Sequence, residues 1–230
     1  MVHFRHLSVA LTLLITAGWA SAQAPDGQWV SYRDAYRAMV VFEKYGKPKH
    51  LIQNHFQVVA RDKSVAPEGL QLTLESKTAR VNLLLDATGR AVFPLSTAAY
   101  NENAALVLNR KVSNYLFRSR VSIVMRPDGV YEAGELRAAC EQALAYQRYV
   151  DASTRSKKCA GVRLVFSKTL VDPGVKLRRG EGAALPPGDG PAFPGDPYEG
   201  FRVVNYRFDG ADKEQVVTPN TPLAISPLFE

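Results

Sequence analysis

A segment rich in glycine and proline, residues 180–200, limits the secondary structure that this chain can form near its C-terminus. It contains six glycines and five prolines in 21 residues, a composition that is incompatible with a helix or a central strand. The segment is therefore predicted to be an exposed linker or long loop. It separates a predicted domain at residues 23–179 from a predicted C-terminal strand and extended tail at residues 201–230.

The first 22 residues have the three-part organisation of a secretory signal peptide. Arg5 precedes an apolar run over residues 7–17, and Ala20-Ser21-Ala22 has the small residues of a signal peptidase site. A helix needs about 20 apolar residues to span a bilayer, so this run is too short to span one comfortably. The expected location is the periplasm or the extracellular medium, without a transmembrane segment after cleavage, and the alternative is a retained membrane anchor.

Export determines how the two cysteines, Cys140 and Cys159, are interpreted. In an oxidising compartment each is the only available partner for the other within the chain. They lie 19 positions apart, and Cys140 lies on the apolar side of a predicted helix, where a thiolate would be poorly solvated. A structural disulfide that ties this helix to the following strand is therefore predicted, with a reactive thiol as the alternative.

The spacing of apolar residues predicts two main helices, at residues 31–45 and 133–149, with Ser31 as the N-cap of the first. Alternating or continuous apolar runs predict strands at residues 50–60, 70–75, 81–85, 91–93, 118–126, 162–166 and 201–208. Because helices and strands do not alternate regularly, a doubly wound α/β fold is not expected. The predicted fold class is α+β, a mostly antiparallel sheet packed with two main helices and tied by the disulfide.

The sequence contains none of the motifs HExxH, CxxC, GxSxG, SxxK or GxGxxG, and it has no Walker loop. After removal of the leader only His50 and His55 remain, and on one strand they would face opposite sides. No catalytic, cofactor-binding or metal-ligating residue is assigned, and no cofactor is expected. A pair of carboxylates stays open as an alternative, with candidates at Glu75, Asp86, Glu102, Glu132 and Glu135.

The charge of the chain is positive, at +7, and removal of the leader takes away only one basic residue, Arg5. The remaining 28 basic and 22 acidic residues give +6, spread over four basic patches. In one patch Arg118, Arg120 and Arg126 are predicted to share a strand face, which makes them a candidate anionic-ligand face. A solubilising surface is the alternative, and an exported protein is not expected to bind nucleic acid.

Five segments follow one another in an order that resembles a known family. They are YRDAYRAM, FPLSTAAYNENAALVLN, RVSIVM, ELRAACEQALAYQ and GVRLVFSK. This order is similar to that of a family of uncharacterised periplasmic proteins from proteobacteria, known only as a domain of unknown function. The resemblance covers about residues 31–168 and implies a periplasmic location and a small α+β domain. It implies no activity and no catalytic positions.

Secretion, basic charge and the lack of catalytic motifs together predict an exported, non-enzymatic module that binds a protein partner or an envelope component. One alternative is an envelope hydrolase that uses carboxylates without a recognisable motif. Another is a subunit whose C-terminal strand adds to a neighbour's sheet, although docking within its own sheet is preferred. The sequence leaves the oligomeric state and the identity of the ligand open.

Overall fold

A computed structural model describes residues 28–178, 182–208 and 214–230. The predicted signal peptide at residues 1–22 lies outside these residues. The described part has three α-helices and 14 strands in antiparallel sheets, so the predicted α+β class, mostly antiparallel sheet, is confirmed. Within the described residues, no helix is both long enough and apolar enough to cross a membrane.

The helices are α1 (Tyr32–Lys44), α2 (Thr97–Asn101) and α3 (Ala133–Val150). The two long helices were predicted from apolar spacing, and both are confirmed. Ser31 caps α1 as expected, because its hydroxyl accepts a hydrogen bond from the backbone N–H of Asp34 at 3.3 Å. The short helix α2 was not predicted, since a helix of this length is too short to show an apolar period.

The N-terminal half contains two sheets. The first has the order β1-β6-β3-β4 and consists of β1 (Trp29–Ser31), β3 (Leu72–Glu75), β4 (Arg80–Leu83) and β6 (Ala105–Leu108). The second has the order β5-β2-β7 and consists of β2 (Ile52–Ala60), β5 (Arg90–Ala91) and β7 (Tyr115–Ile123). Leu72, Leu106 and Phe56 belong to one buried core that both sheets share, so the two sheets form one packed unit with α1.

The C-terminal half also contains two sheets. One has the order β10-β13-β8 and consists of β8 (Val130–Glu132), β10 (Lys176–Arg178) and β13 (Gln215–Val217). The other has the order β11-β12-β9-β14 and consists of β9 (Cys159–Ser167), β11 (Pro187–Gly190), β12 (Phe201–Arg207) and β14 (Ala224–Phe229). Leu136 of α3 packs with Leu164 and Ile225 in a second core, so α3 covers the larger of these sheets.

The predicted strand at residues 201–208 docks within the chain's own sheet. It forms β12, which pairs with β11 on one side and with β9 on the other. The tail beyond it, predicted only as extended, contributes β13 and β14. The sheet therefore uses its own C-terminal strand, and strand donation to a neighbour is not needed to complete it.

The glycine- and proline-rich segment, described from residue 182 onward, is only partly exposed: residues 186–189 are exposed, as its composition suggests, whereas Ala192, Phe193 and Asp196 are buried. Residues 187–190 form the edge strand β11, and an edge position tolerates proline because the missing N–H faces away from the ladder. The side chains of Ala192 and Phe193 are each 1% exposed. Two apolar side chains thus pack this part of the segment against the rest of the protein, which local composition does not predict.

The disulfide between Cys140 and Cys159 is present, with 6.0 Å between the two Cα atoms. Cys140 is fully buried on the inner side of α3, and Cys159 is the first residue of β9. The prediction that the bond ties the second long helix to the following strand is therefore confirmed.

Candidate functional site

One face of the β5-β2-β7 sheet carries a row of polar side chains. Along β2, Phe56 and Val58 enter the core, so Gln57 between them points to the opposite face. In register, Gln57 lies opposite Arg90 of β5 and opposite Arg118 of β7. Arg120 follows two positions after Arg118 and shares its face. Strand alternation therefore brings three guanidinium groups and one amide onto a single face.

Asp196, in the glycine- and proline-rich segment, supplies a carboxylate to this face. Its Oδ1 accepts hydrogen bonds from Arg118 and, at 2.8 Å, from Arg120, and it forms a salt bridge with each. Its Oδ2 accepts a bond from the Gln57 amide at 3.1 Å. The Gln57 carbonyl oxygen in turn accepts bonds from the Nε atoms of Arg118 and Arg120, at 3.2 and 2.8 Å. We call Gln57, Arg90, Arg118, Arg120 and Asp196 the arginine cluster.

Phe193 fixes the position of the segment that carries Asp196. Its ring centroid lies 4.8 Å from the guanidinium carbon of Arg120 and 5.4 Å from that of Arg90, within the range of cation–π attraction. The same ring belongs to a buried apolar cluster that includes Val165 of β9. One aromatic side chain therefore contacts both the arginines of the N-terminal half and the core of the C-terminal half.

Arg90 is 3% exposed, and its donors are used by four different groups. Its Nε donates to the Asp86 carboxylate at 3.0 Å and to the Thr88 hydroxyl at 2.8 Å. Its two terminal nitrogens donate to the Ser122 hydroxyl at 3.0 Å and to the Leu223 carbonyl at 2.7 Å. Arg90 thus connects the turn before β5 to β7 and to the chain that leads into β14.

The cluster holds more positive than negative charge. Its three arginines face one carboxylate of the cluster, Asp196, and one that lies beside it, Asp86. Burial lowers the pKa of Arg120 to about 10; Asp196 opposes this change, and the neighbouring charges of Arg118 and Arg90 reinforce it. The side chain of Arg118 is 31% exposed, so the positive excess reaches solvent at this residue. An anion at this edge would be attracted by the excess charge.

Arg126, the third arginine of the predicted face, does not join the cluster. Strand β7 ends at Ile123, so the alternation that places Arg118 and Arg120 together does not continue to residue 126. Arg126 pairs instead with Asp128 at 3.1 Å and with Glu135 at 3.2 Å. Hydrogen bonding to Asp128 raises the pKa of Arg126, and the same bond lowers the pKa of Asp128.

Each candidate carboxylate has its own local partner. These pairs are Glu75 with Arg80, Asp86 with Arg90, Glu102 with Thr78, Glu132 with Gln215 and Glu135 with Arg126. Hydrogen bonds to Ser76 and Thr78 lower the pKa of Glu102. A carboxylic acid that protonates a leaving group needs a raised pKa, so Glu102 is a poor proton donor near neutral pH.

His55 lies beside the cluster, opposite Arg120 in the β2–β7 register. Its Nδ1 is buried and has no hydrogen-bond partner among the described residues. Burial lowers the pKa of His55 below 6.5; the charge of Arg90 lowers it further, and Asp86 opposes the shift. The imidazole is therefore neutral in the folded protein at neutral pH.

A pH dependence of stability follows from His55. In the unfolded chain His55 binds a proton near pH 6.5, whereas in the folded protein it does so only at lower pH. The free energy of unfolding therefore keeps its full value above pH 6.5 and decreases as the pH drops below 6.5. Substitution His55→Gln should weaken this fall between about pH 7 and pH 5, measured by urea unfolding. The control is His50→Gln, which replaces an exposed histidine outside the arginine cluster. Identical profiles for wild type and His55→Gln would contradict the assignment.

Sequence reasoning found Arg118 and Arg120 but missed Gln57, Arg90 and Asp196. Gln57 and Arg90 could have been found, because a polar residue between apolar neighbours in a strand marks the face opposite the core. Asp196 lies 139 positions from Gln57, and no local pattern connects them.

Within residues 28–178, 182–208 and 214–230, no group of three or more His, Cys, Asp or Glu side chains could hold a metal ion. Comparison with protein-family models, with curated proteins and with solved structures found no match to this chain.

Proposed function

We propose that this chain is an exported, non-enzymatic module that binds an anionic component of the cell envelope. The leader pattern at residues 1–22 and the Cys140–Cys159 disulfide support export, because disulfides persist in oxidising compartments such as the periplasm. A periplasmic location also agrees with the family resemblance over residues 31–168.

The excess charge of the arginine cluster is the observation that carries the proposed ligand class. Guanidinium groups bind carboxylates and phosphates through paired hydrogen bonds. Asp196 already binds in this way, through Arg118, Arg120 and Gln57. Of the two arginines that contact Asp196, Arg118 has the more exposed side chain. A phosphate or carboxylate of a ligand would therefore approach the cluster from the side of Arg118.

The local pairing of the candidate carboxylates favours binding over hydrolysis. Each of the five acids is held by its own neighbour, whereas a glycosidase mechanism needs two carboxyl groups about 5–10 Å apart across a cleft. The hydrolase alternative therefore has no specific structural observation in its favour.

To test the proposal, inorganic phosphate is titrated into the protein and its variants, and calorimetry measures the affinity of each for phosphate. Arg118→Gln should weaken phosphate binding by about tenfold or more, because a hydrogen bond to a charged group contributes roughly 1.5–3 kcal/mol. Arg118→Lys keeps the charge and should retain part of the affinity. Arg126→Gln removes an arginine of similar exposure that is already paired with two acids, and it should leave binding unchanged.

Equal phosphate affinities for wild type, Arg118→Gln and Arg126→Gln would overturn the proposal. Circular dichroism of each variant establishes that a loss of binding does not come from a loss of folding.

A further inference from the structure

The two long helices end at the same corner of the molecule. Tyr45 directly follows α1, and its ring centroid lies 5.2 Å from the rings of both Tyr146 and Tyr149 of α3. Phe42 of α1 is 5.1 Å from Tyr146. Aromatic packing therefore places the C-terminal end of α1 beside the C-terminal end of α3.

Two large apolar side chains are exposed at this corner. Tyr149 and Val150 are the last two residues of α3, and they are 60% and 47% exposed. A tyrosine with an exposed ring suits the interface between water and lipid, because the ring is apolar and the hydroxyl is polar.

The end of α1 contributes cations to the same corner. Lys44 is the last residue of the helix, and Lys47 and Lys49 follow Tyr45 within four positions. The ammonium group of Lys49 donates to the carbonyl oxygens of Phe42 and Glu43, at 2.5 and 2.8 Å. Lys49 therefore caps the helix without losing its positive charge to a carboxylate.

The end of α3 contributes four more cations. Arg148 donates to the backbone carbonyl of Lys157 at 2.5 Å, which holds the following turn against the end of the helix. Arg155, Lys157 and Lys158 in this turn are all exposed. We call the cations of both helix ends, together with Tyr149 and Val150, the helix-end surface.

The charge of the helix-end surface is poorly compensated. Residues 42–50 and 146–158 contain seven lysines and arginines but only two acids, Glu43 and Asp151. In the described part of the chain, none of these seven cations is in a salt bridge within 4 Å. Eight arginines elsewhere each have such a partner: Arg37, Arg80, Arg90, Arg118, Arg120, Arg126, Arg202 and Arg207. Seven cations without a salt bridge and only two acids thus lie in the two described segments that flank the exposed apolar pair.

We propose that the helix-end surface docks on an anionic phospholipid membrane, with Tyr149 and Val150 at the level of the headgroups and the surrounding cations on the phosphates. Charge complementarity selects this partner, because negatively charged bilayers attract clusters of lysine and arginine. The exposed tyrosine and valine favour a lipid interface over a fully hydrated polyanion. This surface shares no residue with the arginine cluster, so membrane docking goes beyond the phosphate binding proposed above.

The test is co-sedimentation of the purified full-length protein with lipid vesicles. The vesicles contain phosphatidylcholine alone or phosphatidylcholine with added phosphatidylglycerol. The wild-type protein should bind only vesicles that contain phosphatidylglycerol, and added salt should weaken this binding. The double variant Lys157→Gln/Lys158→Gln should bind more than tenfold more weakly, since each cation near an anionic surface contributes about fivefold. Its matched control is Lys77→Gln/Lys111→Gln, which removes two exposed lysines elsewhere and should cause a much smaller loss.

A second pair of variants tests the apolar part. Tyr149→Ser should weaken binding to the same vesicles, whereas Val171→Ser, which changes an apolar side chain that is 78% exposed elsewhere, should not. All variants carry the same N-terminus, so any contribution of the leader is shared by them.

Three results would overturn the proposal: no preference for phosphatidylglycerol, equal losses in the two lysine double variants, or binding to heparin without binding to vesicles. The phosphate titration is independent, since Lys157→Gln/Lys158→Gln should not alter phosphate binding at Arg118. The failure of either proposal can therefore be recognised separately.

Discussion

Substitution Asp196→Asn should lower the free energy of unfolding by about 2–4 kcal/mol, somewhat less than the roughly 3–5 kcal/mol expected when one partner of a fully buried ion pair is removed. The variant keeps the shape of the side chain but leaves Arg118 and Arg120 without their shared carboxylate. It also replaces the acceptor of the Gln57 amide with a group that is uncharged. Partial exposure of Arg118 keeps the expected loss below that of a fully buried charge.

The matched control for this prediction is Asp189→Asn in the same segment. Asp189 pairs with Arg202 at 2.9 Å, but its side chain is 54% exposed, so its loss should cost less than about 1 kcal/mol. Guanidinium chloride unfolding followed by circular dichroism measures both values. If Asp196→Asn were as mild as Asp189→Asn, the arginine cluster would not stabilise the contact between the two halves.

Removal of the disulfide by Cys140→Ala/Cys159→Ala should lower the free energy of unfolding by about 3 kcal/mol, because the unfolded chain regains the freedom of a loop closed between positions 19 apart. Both halves of the molecule should keep their secondary structure, since α3 also packs on the sheet through Leu136. Chemical unfolding with and without a reductant measures the effect.

The reductant provides the internal control for this prediction. It should destabilise the wild-type protein and leave the double alanine variant unchanged. Mass analysis of wild-type peptides under non-reducing conditions should show the Cys140 and Cys159 peptides joined. Free thiols in exported material, or an equal response of both proteins to the reductant, would contradict the assignment.

Local patterns predicted the elements whose side chains repeat with a clear period. The helix α1 follows from the spacing of Tyr32, Tyr36 and Met39, and the opposite faces of β7 follow from the alternation of Val121 with Arg120. Export chemistry predicted the disulfide, because it left Cys140 and Cys159 as the only pair. These inferences need only residues that are close in sequence, or the number of cysteines in the chain.

Other features depend on partners that are distant in sequence. Asp86 and Gly89, between two apolar runs, are typical of a hairpin turn, and the backbone N–H of Asp86 donates to the carbonyl of Arg90 at 2.7 Å. The two arms of this turn nevertheless enter different sheets, since β4 pairs with β3 and β5 pairs with β2. Similarly, the burial of Phe193 depends on arginines from β5 and β7. A turn or a proline-rich stretch does not specify which surface will cover it.

The long separation between Gln57 and Asp196 has a consequence for how the chain reaches this structure. Their contact closes a loop of 139 positions, which costs about 4 kcal/mol of chain entropy before any compensating contact forms. Because the chain is synthesised from its N-terminus, β2 and β7 can pair before Asp196 is present. Arg118 and Arg120 then still lack their carboxylate partner. We therefore expect the docking of Asp196 to be a late folding step, with the arginine-bearing face of the first half open to water until then.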